Sequence, residues 1–222
     1  MNNIVNIEDK AFMAVLLSAV EAFSSRYSGD RRPNGSTPEG EVHGLLFGQR
    51  IIRDAETTVN NVTLAVPNQI VLERTGDGVS VSTVHIDRIR EVTELFPIYS
   101  LLAFFHSHPW PKDKFHKVNC VEPPDMDKKN AVGVAEAEFD DMLDLIIGIT
   151  RLKRRSTLVP ESLNPNMIHT CCGNYKYTLS CNIALAPEED EDSAEEVEER
   201  YLPADNLICT TASGIVYMDL GR

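Results

Sequence analysis

Apolar residues recur at helical spacing near the beginning of the chain. Phe12, Leu16, Val20 and Phe23 are three or four positions apart, which places them on one face of a helix. This stripe predicts an amphipathic helix over roughly residues 8–27. Acidic rather than basic residues precede the run and it is too short to span a bilayer, so we interpret it as the buried face of a helix in a soluble protein.

Apolar runs further along the chain alternate with polar turns and predict the strands of a sheet. The run IYSLLAFFHSH (98–108) is largely apolar up to its histidines, which is typical of a strand covered on both faces. A helical stripe over 82–96 ends at Pro97, and a further helix is predicted from Asp125 to about Asp140. This alternation indicates an α/β or α+β domain around a mixed sheet. The other predicted strands are 41–52, 56–67, 143–152 and 174–186, with a hairpin over 69–82.

Composition narrows the class of protein. The chain has 222 residues, 42% of them hydrophobic, which is enough for one domain with a substantial core. Its formal net charge of −13 argues against a general affinity for nucleic acid or anionic membranes. Five cysteines, none of them in a CxxC pair, favour a reducing compartment. We therefore expect a cytoplasmic protein without a structural cysteine–zinc site.

The strand over 98–108 ends in two histidines one residue apart. Residues i and i+2 of a strand project to the same face, so His106 and His108 are predicted to lie side by side while Ser107 points away. Two imidazoles in this arrangement can bind one metal ion. Pro109 cannot extend a sheet ladder, which places both rings at the end of the strand, where α/β sheets commonly bind ligands. The remaining histidines are interpreted as packing or surface residues: His43, His85, His116 and His169.

A metal site needs a third ligand, and the segment VEPPDMDKK (121–129) offers two carboxylates. Prolines are tolerated in a first helical turn, so Asp125 is predicted near a helix start, where negative charge is favoured. Asp127 lies about 200° further around the helix axis, so one helix face cannot present both carboxylates to one ion. The residues alone leave the choice between Asp125 and Asp127 open.

A glutamate lies upstream of the histidine pair, in GEVHGLLFGQR (40–50). Glu41, the HSHP run and an aspartate at a helix start together resemble the JAB/MPN metalloprotease family, also called JAMM. The resemblance covers roughly residues 11–186. It implies a single JAB/MPN-like domain over 1–222, with a mixed central sheet flanked by helices in a cytidine-deaminase-like layering.

The resemblance also implies a chemistry. Members of the family are zinc-dependent isopeptidases that remove ubiquitin or ubiquitin-like proteins from conjugates or precursors, so such proteins are the expected partners. Glu41 would be the general base for water activated by the metal. Asp125 is the preferred third ligand because family members place an apolar residue after the aspartate, as Met126 does here, and Asp127 is the alternative. The implied ligands of one Zn²⁺ are His106, His108 and Asp125.

Two features depart from the family pattern. The loop at 109–124 is longer than the usual spacing and carries aromatic and basic residues suited to gripping a partner. The family serine that supports a developing oxyanion falls on Glu122, which cannot donate a hydrogen bond when ionised. Ser107 is a nearby hydroxyl, but strand alternation turns it from the metal. If Asp127 is the ligand, Pro124 takes the serine position instead.

An acidic segment, PEEDEDSAEEVEER (187–200), interrupts the apolar pattern late in the chain. It holds nine acidic residues and one basic residue, a composition typical of a solvated insertion. Apolar positions resume after it, so we expect the segment to interrupt the domain rather than end it. A second functional hypothesis is a weakly active or inactive MPN-type scaffold subunit, because some family members have lost the ligands and serve in assemblies.

Overall fold

The computed structural model describes most of the chain. The described residues are 2–24, 40–68, 71–75, 78–81, 83–93, 95–110, 112, 114–138, 141–186 and 197–209. Within these ranges no helix has both the length and the apolar character needed to cross a membrane. The acidic segment predicted at 187–200 lies outside the described residues except for its last four positions, which form a short helix.

Helices and strands alternate along the described part of the chain much as the pattern predicts. Its helices are α1 (Asp9–Ser24), α2 (Thr83–Thr93), the 3₁₀ helix η1 (Asn119–Val121), α3 (Asp125–Glu138) and α4 (Val197–Arg200). Its strands are β1 (Asn2–Ile7), β2 (His43–Ile52), β3 (Thr57–Asn68), β4 (Val71–Thr75), β5 (Gly78–Val81), β6 (Ser100–Pro109), β7 (Asp141–Arg151), β8 (Leu158–Asn164), β9 (Met167–Cys172), β10 (Tyr175–Leu185), β11 (Tyr201–Pro203) and β12 (Asn206–Cys209).

One mixed sheet organises the molecule. Nine strands follow one another in the order β12-β1-β3-β2-β6-β7-β10-β9-β8, and β11 pairs with the part of β10 that extends beyond β9. The pairs β1–β12, β1–β3 and β6–β7 are parallel, whereas β2 runs antiparallel to both of its neighbours. β4 and β5 form the predicted hairpin as a separate two-stranded sheet. The expectation of a mixed sheet with helices is therefore confirmed.

Both faces of the central strands are covered. On one face α1 packs through Phe12 into the main core, which includes Phe105 of β6 and the odd-numbered apolar residues of β7. On the other face α3 packs through Ala135 against the beginning of β7, and Cys120 of η1 packs against Ile146. Burial on both faces explains why β6 and β7 are almost continuously apolar in sequence.

Candidate metal centre

Strand β6 presents two imidazoles on the face that α3 and η1 cover. His106 pairs with Ile146 of β7, and both lie on that face, whereas Ser107 turns to the opposite side. The ring centroids of His106 and His108 are 4.8 Å apart. β6 ends at Pro109, as predicted, and the next residue leaves the strand with its backbone N–H bound to the Ile149 carbonyl.

Asp127 completes a cluster with the two histidines. Its Oδ2 lies 3.4 Å from Nε2 of His106 and 3.3 Å from Nε2 of His108. The three potential ligand atoms all lie within 4.8 Å of one another. α3 begins two residues earlier, and the Asp127 N–H donates to the Pro124 carbonyl, which secures this residue in the first helical turn. Two strand residues and one helix residue therefore converge on a single point.

Two of the separations within this cluster match those of ligands sharing one ion. Tetrahedral zinc has bonds of about 2.0–2.1 Å to imidazole nitrogen and carboxylate oxygen, which implies about 3.3 Å between neighbouring ligand atoms. Both nitrogen–oxygen separations involving Asp127 match that value. His106 is only 7% exposed, yet its Nε2 makes no hydrogen bond with any described residue. A buried imidazole nitrogen without a hydrogen bond fits a metal ligand, because unpaired buried polar groups are otherwise costly.

Of the two aspartates considered as the third ligand, Asp127 lies in the cluster, whereas Asp125, the preferred one, lies outside it. The Asp125 side chain is 87% exposed, and its nearest cation is Lys128, whose Nζ is 3.9 Å from Oδ1. Because two residues along a helix are about 200° apart around its axis, only one of these two carboxylates can face β6. Met126, the apolar residue that favoured Asp125 in the sequence, is 66% exposed, so its packing does not support Asp125 as the ligand.

A second carboxylate supports His106 from the opposite side of its ring. Asp144 of β7 is 4% exposed, and its Oδ1 lies 3.3 Å from Nδ1 of His106. Tyr201 donates its hydroxyl to the other oxygen of Asp144 at 2.6 Å. This chain of contacts orients the imidazole and directs its Nε2 towards Asp127. Outer contacts of this kind commonly hold metal-binding histidines in position.

The charges in the cluster stabilise one another. Burial opposes the charged form of His106, but the carboxylates of Asp144 and Asp127 outweigh it and raise the pKa of His106 to about 10. Burial also works against ionisation of Asp127, but the neighbouring imidazoles of His106 and His108 prevail and hold the pKa of that carboxyl well below its usual range. In Asp144 the neighbouring His106 likewise outweighs burial and lowers the pKa. The site is thus a concentrated negative pocket around imidazole nitrogens, which favours a cation.

His43, interpreted from sequence as a packing or surface residue, proves to flank the cluster. It pairs with His106 across the β2–β6 ladder, and the two rings stack with centroids 5.3 Å apart and 12° between their planes. Burial, with the nearby His106 as the next cause, lowers the pKa of His43 to about 4, so this ring is neutral. No local signal marks this role, because the contact depends on strand register. Of the other histidines, His116 is exposed and His169 is buried, while the side chain of His85 lies outside the described ones.

The register of β2 against β6 also positions Glu41. Val42 and Ser107 face each other: the Ser107 N–H donates to the Val42 carbonyl, and the Val42 N–H donates to the Ser107 hydroxyl, each at 3.0 Å. Continued beyond the start of β2 at His43, this antiparallel register would bring Glu41 opposite His108. Residues directly opposite in such a pair project to the same face, which is the face of the metal cluster. Glu41 is partly buried there.

Ser107 and Glu122, the two residues considered for oxyanion support, lie in different environments. Ser107 is completely buried on the far side of β6, where its hydroxyl holds the backbone of Val42. Glu122 is exposed at the end of η1, and with Asp127 as the ligand the family serine position falls on Pro124. Proline has neither a side-chain donor nor a backbone N–H.

The long loop at 109–124 is folded back onto the sheet rather than projecting from it. Trp110 donates its indole N–H to the Cys120 carbonyl at 3.1 Å, and Cys120 lies directly over Gly148 of β7. A Cβ at position 148 would meet the Cys120 sulfur and would come within 2.8 Å of its carbonyl oxygen. The missing side chain thus lets η1 approach β7 closely, and this approach sets where α3 begins.

Comparison with known proteins adds no family assignment to this geometry. A scan against protein-family models found no match, and a search of curated proteins found no relative, so the likeness to the JAB/MPN family is carried by Glu41, the histidine pair and the aspartate alone.

Proposed function

We propose that the protein is a zinc-dependent peptidase that cleaves ubiquitin or a ubiquitin-like protein from conjugates or precursors. The observation that carries the proposal is the convergence of His106, His108 and Asp127, with the carboxylate of Asp127 at tetrahedral ligand spacing from both imidazoles. Three protein ligands leave one position open, which is the pattern of catalytic rather than structural zinc sites.

The donor set fits zinc. Two neutral imidazole nitrogens and one carboxylate oxygen are a common combination for this metal, and Asp144 supplies the supporting contact that metal-binding histidines usually have. When bound, zinc lowers the pKa of water and polarises a carbonyl group. The chain's own residues orient the ligands, exclude solvent from His106 and provide a base.

Glu41 is the residue proposed to move the proton. Continuation of the strand register would bring it opposite His108, on the face of the cluster, and it is not one of the three converging ligands. A carboxylate in this position can take a proton from the attacking water and return it to the leaving amine. The paired hydrogen bonds between Val42 and Ser107 hold the backbone beside Glu41 and so restrict where its carboxylate can reach.

The alternative is a weakly active or inactive scaffold of the same architecture. Pro124 at the serine position favours this reading, since it removes a donor that would stabilise an oxyanion. Retention of both histidines, Asp127 and the Asp144 support favours the enzyme, because a scaffold has no need of a buried histidine whose Nε2 lacks a hydrogen bond. The two hypotheses differ in whether metal-loaded protein cleaves a conjugate.

Cleavage of a ubiquitin-like protein from a fluorescent lysine conjugate tests the proposal. Glu41→Gln is expected to keep its zinc and its thermal stability but to lose about 10²–10⁴-fold in kcat/KM, the usual contribution of a general base. Glu56→Gln, at an exposed position before β3, is the matched control and should behave like the wild type. Full activity in Glu41→Gln would refute the assigned base, and zinc-loaded wild-type protein that cleaves no conjugate would favour the scaffold.

A further inference from the structure

A basic cavity lies away from the metal cluster in this acidic protein. Its volume is about 560 Å³, within the range of ligand pockets, and it is bordered by the loop after β7, the loop before η1 and strands β9 and β10. The chain as a whole carries a net charge of −13, so a local concentration of positive charge stands out against its surroundings. The cations lining the cavity are Lys112, Lys117, Lys153, Arg154, Arg155 and Lys176.

The strand register relates this cavity to the metal cluster. His108 pairs with Gly148, Gly148 with Thr178, and Thr178 with His169, which lines the cavity. These residues form one row across four neighbouring strands, so His169 is about 14 Å from His108, three strand spacings away. Directly paired residues share a face, and both sites therefore lie on the face that η1 and α3 cover.

His169 supplies an independent sign that the cavity receives a ligand. It is 1% exposed, its Nδ1 lies 3.1 Å from the Thr178 hydroxyl, and its Nε2 is bonded to no described residue. Burial, followed by the charges of Lys117 and Lys176, lowers the pKa of His169 to about 4, so the ring is neutral. A neutral imidazole nitrogen without a partner, at the wall of a cavity lined by cations, is suited to an added polar group.

The charges around the cavity determine whether it attracts anionic or cationic ligands. Among the residues that the structure describes, the one carboxylate paired with a lining cation is Glu161, whose Oε2 is 3.9 Å from the Lys117 Nζ in a largely exposed pair. Lys176 rests over the Phe115 ring at 5.2 Å, which fixes it beside the loop without neutralising it. Six lining cations against this one acid repel metal ions and attract anions.

A second cavity of about 580 Å³ extends the basic surface. It shares Lys112, Leu152 and Lys153 with the first cavity and adds Arg151, Trp110 and Phe23 at its margin. The two cavities adjoin at these shared residues around the loop that follows β7, and they are together called the basic groove. Its positive charges are spread over separate segments rather than converging on one point. This spacing fits several carboxylates along a chain better than a single phosphate, and the aromatic residues fit side chains between them.

We propose that the basic groove binds an acidic segment of a partner protein, with several carboxylates distributed over an extended stretch. The lysines and arginines of the groove would contact these carboxylates, and His169, whose Nε2 bonds to no described residue, would face the bound chain. The binding does not require a metal ion and goes beyond the proposed peptidase activity.

Fluorescence anisotropy with a labelled ten-residue peptide carrying six glutamates tests the proposal on the full-length protein. The groove variant is Lys153→Glu/Arg154→Glu/Arg155→Glu, all at exposed loop positions. The matched control is Lys10→Glu/Arg53→Glu/Arg88→Glu, which changes the net charge equally at exposed positions outside the groove. Melting curves establish that all three proteins are equally folded.

The wild type is expected to bind the peptide, with an affinity that falls as salt is added. The groove variant should lose at least tenfold in affinity, and the control variant less than threefold. The ¹⁵N resonance of His169 Nε2 should move on peptide addition in the wild type. Equal losses in both variants, no binding at low salt, an unmoved His169 resonance, or tighter binding of an inorganic polyphosphate or an oligonucleotide than of the peptide would each overturn the proposal.

Discussion

Asp144 and His106 meet across neighbouring parallel strands, with Oδ1 of the aspartate 3.3 Å from Nδ1 of the imidazole. This contact fixes the ring so that Nε2, the nitrogen facing Asp127, is the one available to a metal ion. Tyr201, which follows the acidic segment in sequence, donates to the same carboxylate and ties the late part of the chain to the site. The candidate metal centre therefore draws on residues from strands far apart in sequence.

Replacing Asp144 is expected to weaken zinc binding without removing a ligand. Asp144→Asn loses the negative charge beside His106, and we expect a 10–100-fold loss of affinity, as is usual for contacts that orient metal-binding histidines. Competition with a chromophoric chelator measures it. Tyr201→Phe keeps the ring and removes only the donated hydroxyl, so its loss should be smaller. Wild-type affinity in Asp144→Asn would show that the contact does not orient the ligand.

The choice between the two aspartates of α3 is open to a direct test. We expect purified wild-type protein to carry about one zinc per chain, the number that a three-ligand site holds. His108→Ala and Asp127→Ala should lose the metal, whereas Asp125→Ala, altered at an 87% exposed side chain, should retain it. Mass spectrometry of metal content gives the answer. Loss of zinc in Asp125→Ala together with retention in Asp127→Ala would reverse the assignment.

Zinc binding should release a proton at neutral pH. The pKa of His106 in the metal-free protein is raised from 6.5 to about 10, so the ring is protonated at pH 7.5 and must lose that proton to bind a metal. Titration calorimetry in buffers of different ionisation enthalpy should give about one proton released, and affinity should rise about tenfold per pH unit between pH 6.5 and 8.5. In Asp144→Asn the proton release and the pH dependence of zinc affinity should both be smaller, because the main charge that raises the pKa of His106 is gone. Binding without proton release would contradict the assigned charge state.

The same shift predicts how the metal-free fold responds to pH. Because the pKa of His106 is higher in the folded protein than in the unfolded chain, its charged form stabilises the fold. This stabilisation is fully present below pH 6.5 and is lost as pH rises through about 10. Asp127 has the opposite sign: its stabilisation is present above the ordinary aspartate pKa and is lost as pH falls below it. The melting temperature of the metal-free wild type should therefore exceed that of metal-free His106→Gln, and this difference should be largest in mildly acidic buffer. An identical pH profile in that variant would contradict this.

Two glycines should respond in opposite ways to the same added methyl group. Gly148→Ala would press a Cβ onto Cys120, displace η1 and destabilise the protein by about 1–3 kcal/mol, the usual cost of overpacking. Gly133→Ala lies on an open face of α3 with no atom within 4 Å of the new Cβ and should stabilise it by about 0.5–1 kcal/mol. Denaturant unfolding measures both. Gly148→Ala should also bind zinc more weakly, since η1 precedes the helix that carries Asp127. Unchanged stability of Gly148→Ala would contradict the prediction and show that η1 can shift without cost.

Local periodicity made much of this fold predictable. Strand β6 was predicted from its apolar run, and a period of two places His106 and His108 on one face whatever the rest of the chain does. β1 escaped prediction, although Val5 and Ile7 are buried, because its asparagines have low strand propensity. It forms because β3 and β12 provide parallel partners on its two edges. Such pairing depends on residues far away in sequence.

The sequence by itself determined which residues are candidates for the site: two histidines on one face of a strand end, one upstream glutamate and a carboxylate at a helix start. It could do so because strand alternation and helix-start preferences are local properties of the backbone. Only the tertiary structure decided that Asp127 faces the histidines, since the rotation of α3 follows from the packing of its buried residues Ala131, Val132 and Ala135 against the sheet. The contacts of His43 and Asp144 with His106 likewise come from strand register. Register and helix rotation are set by long-range packing, which no short stretch of sequence encodes.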